Sequence, residues 1–201
     1  NLRMNEGFLN QQNLDKEYNL SEDNPIVVED VITPNIHKIV DKYIKDNIKN
    51  NVYVLGDRQA NRYKIIDDIV TRLLHLEFLP LIEKITGKKM EPTYTYLAAY
   101  LKGTNLHAHT DRAECQYTCS YIIGKPKGSS WNIYIHKIKQ PIKHEGRYDI
   151  TPPKDECIPV DCEENGLMIF CGTDHIHFRE ELEYDYYNIV LLHYRERDGE
   201  S

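Results

Sequence analysis

"PTYTYLAAYLKGTNLHAHTDRAECQYTCSYII" (residues 92–123) holds two aromatic and β-branched runs on either side of a polar knot. Runs of that composition, broken by Gly and Asn, read as strands. The knot follows a turn-like Lys102-Gly103-Thr104-Asn105 and carries His107, His109 and Asp111. In an extended strand, residues i and i+2 share a face, so His109 and Asp111 project together and Thr110 turns away. One imidazole and one carboxylate make half a site for a borderline divalent metal. A third ligand must come from elsewhere in the chain.

The best source is "CGTDHIHFREE" (residues 171–181), where His175 and His177 again stand two apart. Two histidines and a carboxylate on one face of an octahedral ion leave three positions open, the facial triad of non-haem Fe(II) oxygenases. H-x-D alone is a weak motif, and nine histidines make chance proximity easy. The pairing gains weight because the two stretches open separate strands with β-rich sequence between them. A purely structural histidine also gives no reason for a neighbouring Arg179.

The rest of the chain fits one domain. Its 201 residues can bury a proper core. No apolar run approaches the roughly 20 residues that span a bilayer, and no signal-like segment is present. A soluble protein without membrane contact is expected. The chain starts at Asn1 rather than Met, which leaves room for residues upstream. A net charge of −7 argues against non-specific nucleic-acid binding. Five cysteines, an odd number without C-x-x-C spacing, argue against a disulfide framework or a zinc ribbon and for a reducing, cytoplasmic setting.

Residues 1–24 are rich in Asn, Gln, Glu and Asp and read as a loosely structured lead-in. "PIVVEDVI" (25–32) reads as a strand. "TPNIHKIVDKYIKDNIKN" reads as a helix with Thr33 as N-cap and Pro34 at its first position. Ile36, Ile39, Val40, Tyr43, Ile44 and Ile48 share one face of that helix. A second helical stretch is expected from about Tyr63, carried by Ile65, Ile66, Ile69, Val70, Leu73 and Leu74, interrupted at Pro80 and closed by Gly87. From Thr93 the pattern changes to short strands: "TYTYLAAYL", "YTCSYII", "SWNIYIHKI", "GLMIF" and "YYNIVLLHY". The expected architecture is α+β and mainly β, an N-terminal helical layer packed on a C-terminal antiparallel sheet system, a sandwich or jelly roll.

The stretch 92–123 together with "GLMIFCGTDHIHFREELE" resembles the Fe(II)- and 2-oxoglutarate-dependent dioxygenases, in particular the branch related to prolyl 4-hydroxylases. That branch pairs an H-x-D-R stretch with a later histidine in an H-[WF]-R-E context; here the two lie 66 residues apart, from Asp111 to His177. The resemblance covers 92–194 well and 25–91 more loosely. It implies a double-stranded β-helix core at 92–197 within a single dioxygenase domain, 25–201. It also chooses between the paired histidines: His109, Asp111 and His177 are the implied Fe(II) ligands, and His107 and His175 are not.

The resemblance further implies 2-oxoglutarate as cosubstrate, O₂ as oxidant, ascorbate as a stimulant, and hydroxylation of a C–H bond coupled to release of succinate and CO₂. The distal carboxylate of 2-oxoglutarate needs a cation. The usual family position falls in "YDYYN" (184–188), which has none. Arg179, on the strand face of His177, is the expected substitute. Tyr100 resembles a tyrosine that also reaches the cosubstrate, with Tyr96 and His193 as further contacts. A peptidyl side chain, proline first, is the expected substrate, and an amino acid or other small molecule is the alternative. A non-catalytic metal-binding β-helix and a cupin-like zinc or manganese enzyme are the rival classes.

Overall fold

The computed structural model describes residues 7–21, 24–140 and 146–197. The N-terminal part contains β1 (Ile26–Val28), α1 (Pro34–Lys49), β2 (Val54–Leu55), β3 (Arg62–Ile66), α2 (Ile69–Glu77) and α3 (Leu79–Thr86). The C-terminal part contains β4 (Met90–Leu101), β5 (Leu106–Thr110), β6 (Tyr117–Gly124), β7 (Ile133–Lys139), β8 (Gly146–Arg147), β9 (Cys157–Val160), β10 (Leu167–Phe170), β11 (His175–Arg179) and β12 (Tyr186–Glu196).

Two antiparallel sheets result, ordered β1-β10-β6-β12-β4-β3-β2 and β8-β5-β11-β7-β9. From β4 onward the chain passes back and forth between them, which winds a double-stranded β-helix. The larger sheet is covered on both sides, and the alternation of its strands decides what faces each side. In β12, Val190, Leu192 and Tyr194 join α-helical residues such as Leu74, Phe78 and Ile82 in one core. Ile189, Leu191 and His193 instead line a cavity between the sheets. Trp131, Ile133, Ile135, Met168 and Phe170 build the second core there.

The N-terminal layer departs from the sequence reading in several places. Residues 63–66, expected to open a helix, belong instead to β3, paired with β4 from Arg62↔Tyr100 to Ile66↔Tyr96. The open flank of β4 offers a full ladder of backbone partners. Asp67 then takes a left-handed conformation at φ 53°, and Asp68 caps α2 by accepting from the amides of Val70 and Thr71. The interruption near Pro80 is a break between α2 and α3, and Gly87 closes α3 at φ 67°. The strand read at 25–32 is only Ile26–Val28, because Asp30 turns the chain at φ 50°. Ile39 is exposed; His37 takes its place on the inner face of α1 and bonds the Tyr121 hydroxyl at 2.6 Å. Pro34 does begin α1, but the Thr33 side chain makes no capping bond.

Of the segment read as a loose lead-in, Leu9 is buried and bridges to Ile32, and Asn13 donates to the carbonyls of Glu29 and Asp30. The five cysteines are free thiols. No described helix is long and apolar enough to cross a membrane.

Candidate metal centre

β5 and β11 lie side by side with His109 opposite His177. Their rings are tilted by 57° to each other, with centroids 4.2 Å apart. Asp111, just past the end of β5, completes a group whose ligand atoms all lie within 4.8 Å of one another. Its Oδ1 is 3.5 Å from the Nε2 of each histidine. In both rings Nδ1 faces a carbonyl oxygen, that of His107 at 2.7 Å for His109 and that of His175 at 3.0 Å for His177. A carbonyl can only accept, so Nδ1 carries the proton and Nε2 turns its lone pair toward Asp111. This is the tautomer a metal requires. His107 and His175 therefore lend backbone carbonyls, not rings. The His107 side chain is exposed, and His175 Nδ1 donates to the His136 carbonyl at 2.8 Å.

Electrostatics keep the donor set ready. Burial alone would push the Asp111 carboxyl up, but His177 and His109 beside it hold it well below the usual carboxylate range. Burial, reinforced by His177, pushes the His109 imidazole down and keeps it neutral. Thr118 Oγ1 donates to Asp111 Oδ2 at 2.6 Å, leaving Oδ1 to face the histidines. The backbone closes on the same carboxylate: a Cβ on Gly172 would stand 2.2 Å from Asp111 Oδ2, so only glycine fits there. The strand register shifts around His177 on both sides of β11, irregularities that aim side chains at a site.

The cluster opens into a cavity of about 730 Å³ that Tyr100, Tyr96, Arg179 and His193 also line. Arg179 is 3% exposed and lies over the Trp131 ring at 4.6 Å. It donates to the Trp131 carbonyl, and no described carboxylate pairs with it. The Tyr100 hydroxyl accepts from Arg62 Nη1 at 2.6 Å, which leaves its own proton free to donate. Tyr96 donates to Asp57 at 2.5 Å and so serves that carboxylate rather than the open cavity. His193 is buried beside the Tyr94 ring, with Nδ1 lacking a partner among the described residues. Burial, opposed by Asp111, pushes it down to about 4.

Several residues of this site escaped the sequence reading. Arg62, just ahead of the stretch read as helical, is buried and bonds Asp57 at 2.6 Å, Gln59 at 3.1 Å and the two tyrosine hydroxyls. Thr118 and Gly172 carry no motif of their own. The i,i+2 alternation of β6, which puts Thr118 inward like Ser120, is the only signal that could have found the threonine.

No family model matches the chain, and no curated protein matches it. Solved structures do. One is a Pseudomonas putida prolyl-4-hydroxylase, with a TM-score of 0.60 at 8% identity over 86% of this chain and 92% of that one. Another is a prolyl hydroxylase from Trichoplax adhaerens in complex with a hypoxia inducible factor peptide, with a TM-score of 0.63 at 12% identity over 85% and 83%. A third is SnoN, a non-haem α-ketoglutarate-dependent epimerase from nogalamycin biosynthesis, with a TM-score of 0.68 at 10% identity over 87% and 79%. The fold is thus the double-stranded β-helix of the 2-oxoglutarate–Fe(II) oxygenases.

Proposed function

We propose that this chain, acting through a single domain at residues 25–201, is an Fe(II)- and 2-oxoglutarate-dependent oxygenase that hydroxylates a C–H bond. The observation that carries the reading is the union of two features in one cavity. Three neutral or anionic donors converge at one end, and a buried guanidinium without a described carboxylate partner waits on the same strand face. A buried, unpaired charge costs several kcal/mol, so Arg179 calls for an anionic ligand. Zinc or manganese chemistry without 2-oxoglutarate leaves that cation unexplained, as does a metal-binding module without turnover.

His109 Nε2, His177 Nε2 and Asp111 Oδ1 would hold the metal, and the carbonyls of His107 and His175 would orient the rings. Thr118 would hold the second carboxylate oxygen away from it. Arg179, two residues and about 6.6 Å of strand rise beyond His177, would receive the distal carboxylate of 2-oxoglutarate. The Tyr100 hydroxyl would donate to the same group, with His193 a further contact near Asp111. Ile133, Phe170, Ile189 and Leu191 would exclude water along the way. When bound, Fe(II) with 2-oxoglutarate supplies oxidation by O₂: one oxygen atom enters succinate, the other the substrate C–H bond, and CO₂ leaves.

A peptidyl side chain such as proline is one substrate class, as in the Trichoplax complex, and a small molecule is the other. The test is succinate release from 2-oxoglutarate under Fe(II), ascorbate and air. His109→Ala, Asp111→Ala and His177→Ala should each abolish metal binding and turnover, while His175→Ala keeps the metal. Wild-type protein that binds neither Mn(II) nor 2-oxoglutarate under argon would refute the reading.

A further inference from the structure

The outer half of the cavity is charged against the sign of the chain. The sequence has a net charge of −7. Among the described residues, the cavity is nevertheless lined by Arg58, Arg62, Lys64, Arg112, Arg147 and Arg179 against only Asp57 and Asp111. Asp57 neutralises Arg62, and Asp111 belongs to the metal group. Arg179 is assigned above. Arg112 has an interaction of its own, which leaves Arg58, Lys64 and Arg147, and none of these three has an ion pair among the described residues.

The fold sets one of them beside the metal group. β8 pairs with β5 so that Arg147 stands opposite His109. Directly opposed residues of an antiparallel pair send their side chains to the same face, with Cβ atoms about 4.5–5.5 Å apart. Arg147 then reaches across the cavity mouth and donates through Nη2 to the Arg58 carbonyl. Two arginines and a lysine are thus gathered at one opening, where the only described carboxylates are Asp57, paired with Arg62, and Asp111. A cleft with walls of one sign concentrates ions of the other, and the planar guanidinium fork matches carboxylate and phosphate oxygens.

We infer that the primary substrate carries a carboxylate or phosphate group, received at the mouth by Arg147 and Arg58 with Lys64 adding charge. This rests on the oxygenase reading and narrows it. A neutral side chain alone does not use these cations; an acidic small molecule, or a peptide with an acidic or phosphorylated residue, does. Arg147 holds the anion next to His109, so the bond to be oxidised lies close to the charged group.

The test uses inorganic phosphate as probe. Mn(II)-loaded protein, saturated with 2-oxoglutarate under argon, is titrated with phosphate while ³¹P relaxation is followed against a Zn(II)-loaded control. Bound Mn(II) relaxes nuclei held near it. The wild type should show saturable, salt-sensitive enhancement. The double variant Arg58→Ala/Arg147→Ala should bind phosphate about tenfold more weakly, and Arg147→Lys should fall between. No saturable enhancement in wild type, or an equal one in the double variant, overturns the inference. Mn(II) and 2-oxoglutarate affinities measured on the same samples separate this from failure of the oxygenase reading, which would abolish those first and the inference with them. Succinate release then distinguishes the sources, with metabolite fractions retained on an anion exchanger in one arm and peptides bearing Asp, Glu or phosphoserine in the other. Stimulation confined to neutral or cationic fractions also overturns the inference.

Discussion

Two buried arginines line one cavity and are provided for in opposite ways. Arg62 is enclosed by Asp57, Gln59 and the hydroxyls of Tyr96 and Tyr100, with its guanidinium 4.8 Å and 5.1 Å from the two rings. Asp57 answers in kind. Burial would raise its carboxyl, but the Tyr96 hydroxyl and Arg62 bring it down to about 2. Arg179 has a carbonyl and an indole face, and no described carboxylate. The difference separates a cation that holds the wall together from one that the proposed function gives to 2-oxoglutarate. Arg62 ties the turn at 57–60 and β3 to β4, while Arg179 lines the cavity with no described carboxylate to take its donors.

The largest effect that would sharpen this contrast is on folding. Arg62→Ala leaves the buried Asp57 carboxylate without its cation, held only by the Tyr96 hydroxyl and the amides of Gln59 and Ala60, and should cost about 3 kcal/mol of stability in urea unfolding, the lower end for a broken buried pair. Arg179→Ala should leave stability nearly unchanged or raise it. Equal destabilisation by the two variants would break the distinction.

A second effect lies in the pH dependence of the metal-free protein. Burial pushes His193 down to about 4, with Asp111 opposing, and His75 down to about 4, with its bond to the His193 carbonyl opposing. Both folded values lie below the ordinary 6.5, so the unfolded chain binds more protons between pH 6.5 and 4. Stability is therefore complete above that window and falls as the pH drops through it, by about 3 kcal/mol for each histidine at pH 4. His109 acts in the same direction. The urea midpoint of His193→Gln should show a visibly flatter acid limb; an unchanged limb would mean that His193 is already solvated.

A smaller effect is expected at Thr118. Thr118→Val keeps the shape and removes the donor to Asp111 Oδ2. Mn(II) affinity should fall about tenfold, the lower range for groups that orient a ligand, with little change in folding. Full affinity would show that Gly172 and the backbone suffice to hold the carboxylate.

The gathering of His109, Asp111 and His177 was legible because the three sit in short local patterns. His109 and Asp111 are two apart in one strand, and His177 lies in another strand with Arg179 two beyond it. The strand-and-turn grammar after Thr93 likewise pointed to a sandwich or jelly roll, and the family resemblance to the β-helix. What stayed hidden depends on partners distant in sequence. Ile65, Ile66, Ile69, Val70, Leu73 and Leu74 have helical spacing, yet β3 forms because β4 offers it a ladder. In α2 the expectation holds only in part: Leu74 is buried, but Ile69 and Leu73 are exposed while Thr71 and His75 are buried, bonded to Thr95 and to the His193 carbonyl. The Arg62–Asp57 pair and the seat of Arg147 opposite His109 depend in the same way on turns and register.

The central claim is that one metal and one 2-oxoglutarate meet in this cavity, the first on His109, Asp111 and His177 and the second on Arg179. Calorimetric titration of 2-oxoglutarate into Mn(II)-loaded protein under argon tests it most directly. Arg179→Ala should weaken 2-oxoglutarate by about 1.5–3 kcal/mol, the range for charge-assisted bonds, while Mn(II) binding stays as in wild type and Arg179→Lys recovers part of the loss. Wild-type affinity for 2-oxoglutarate in Arg179→Ala would contradict the account and move the anchor elsewhere in the cavity.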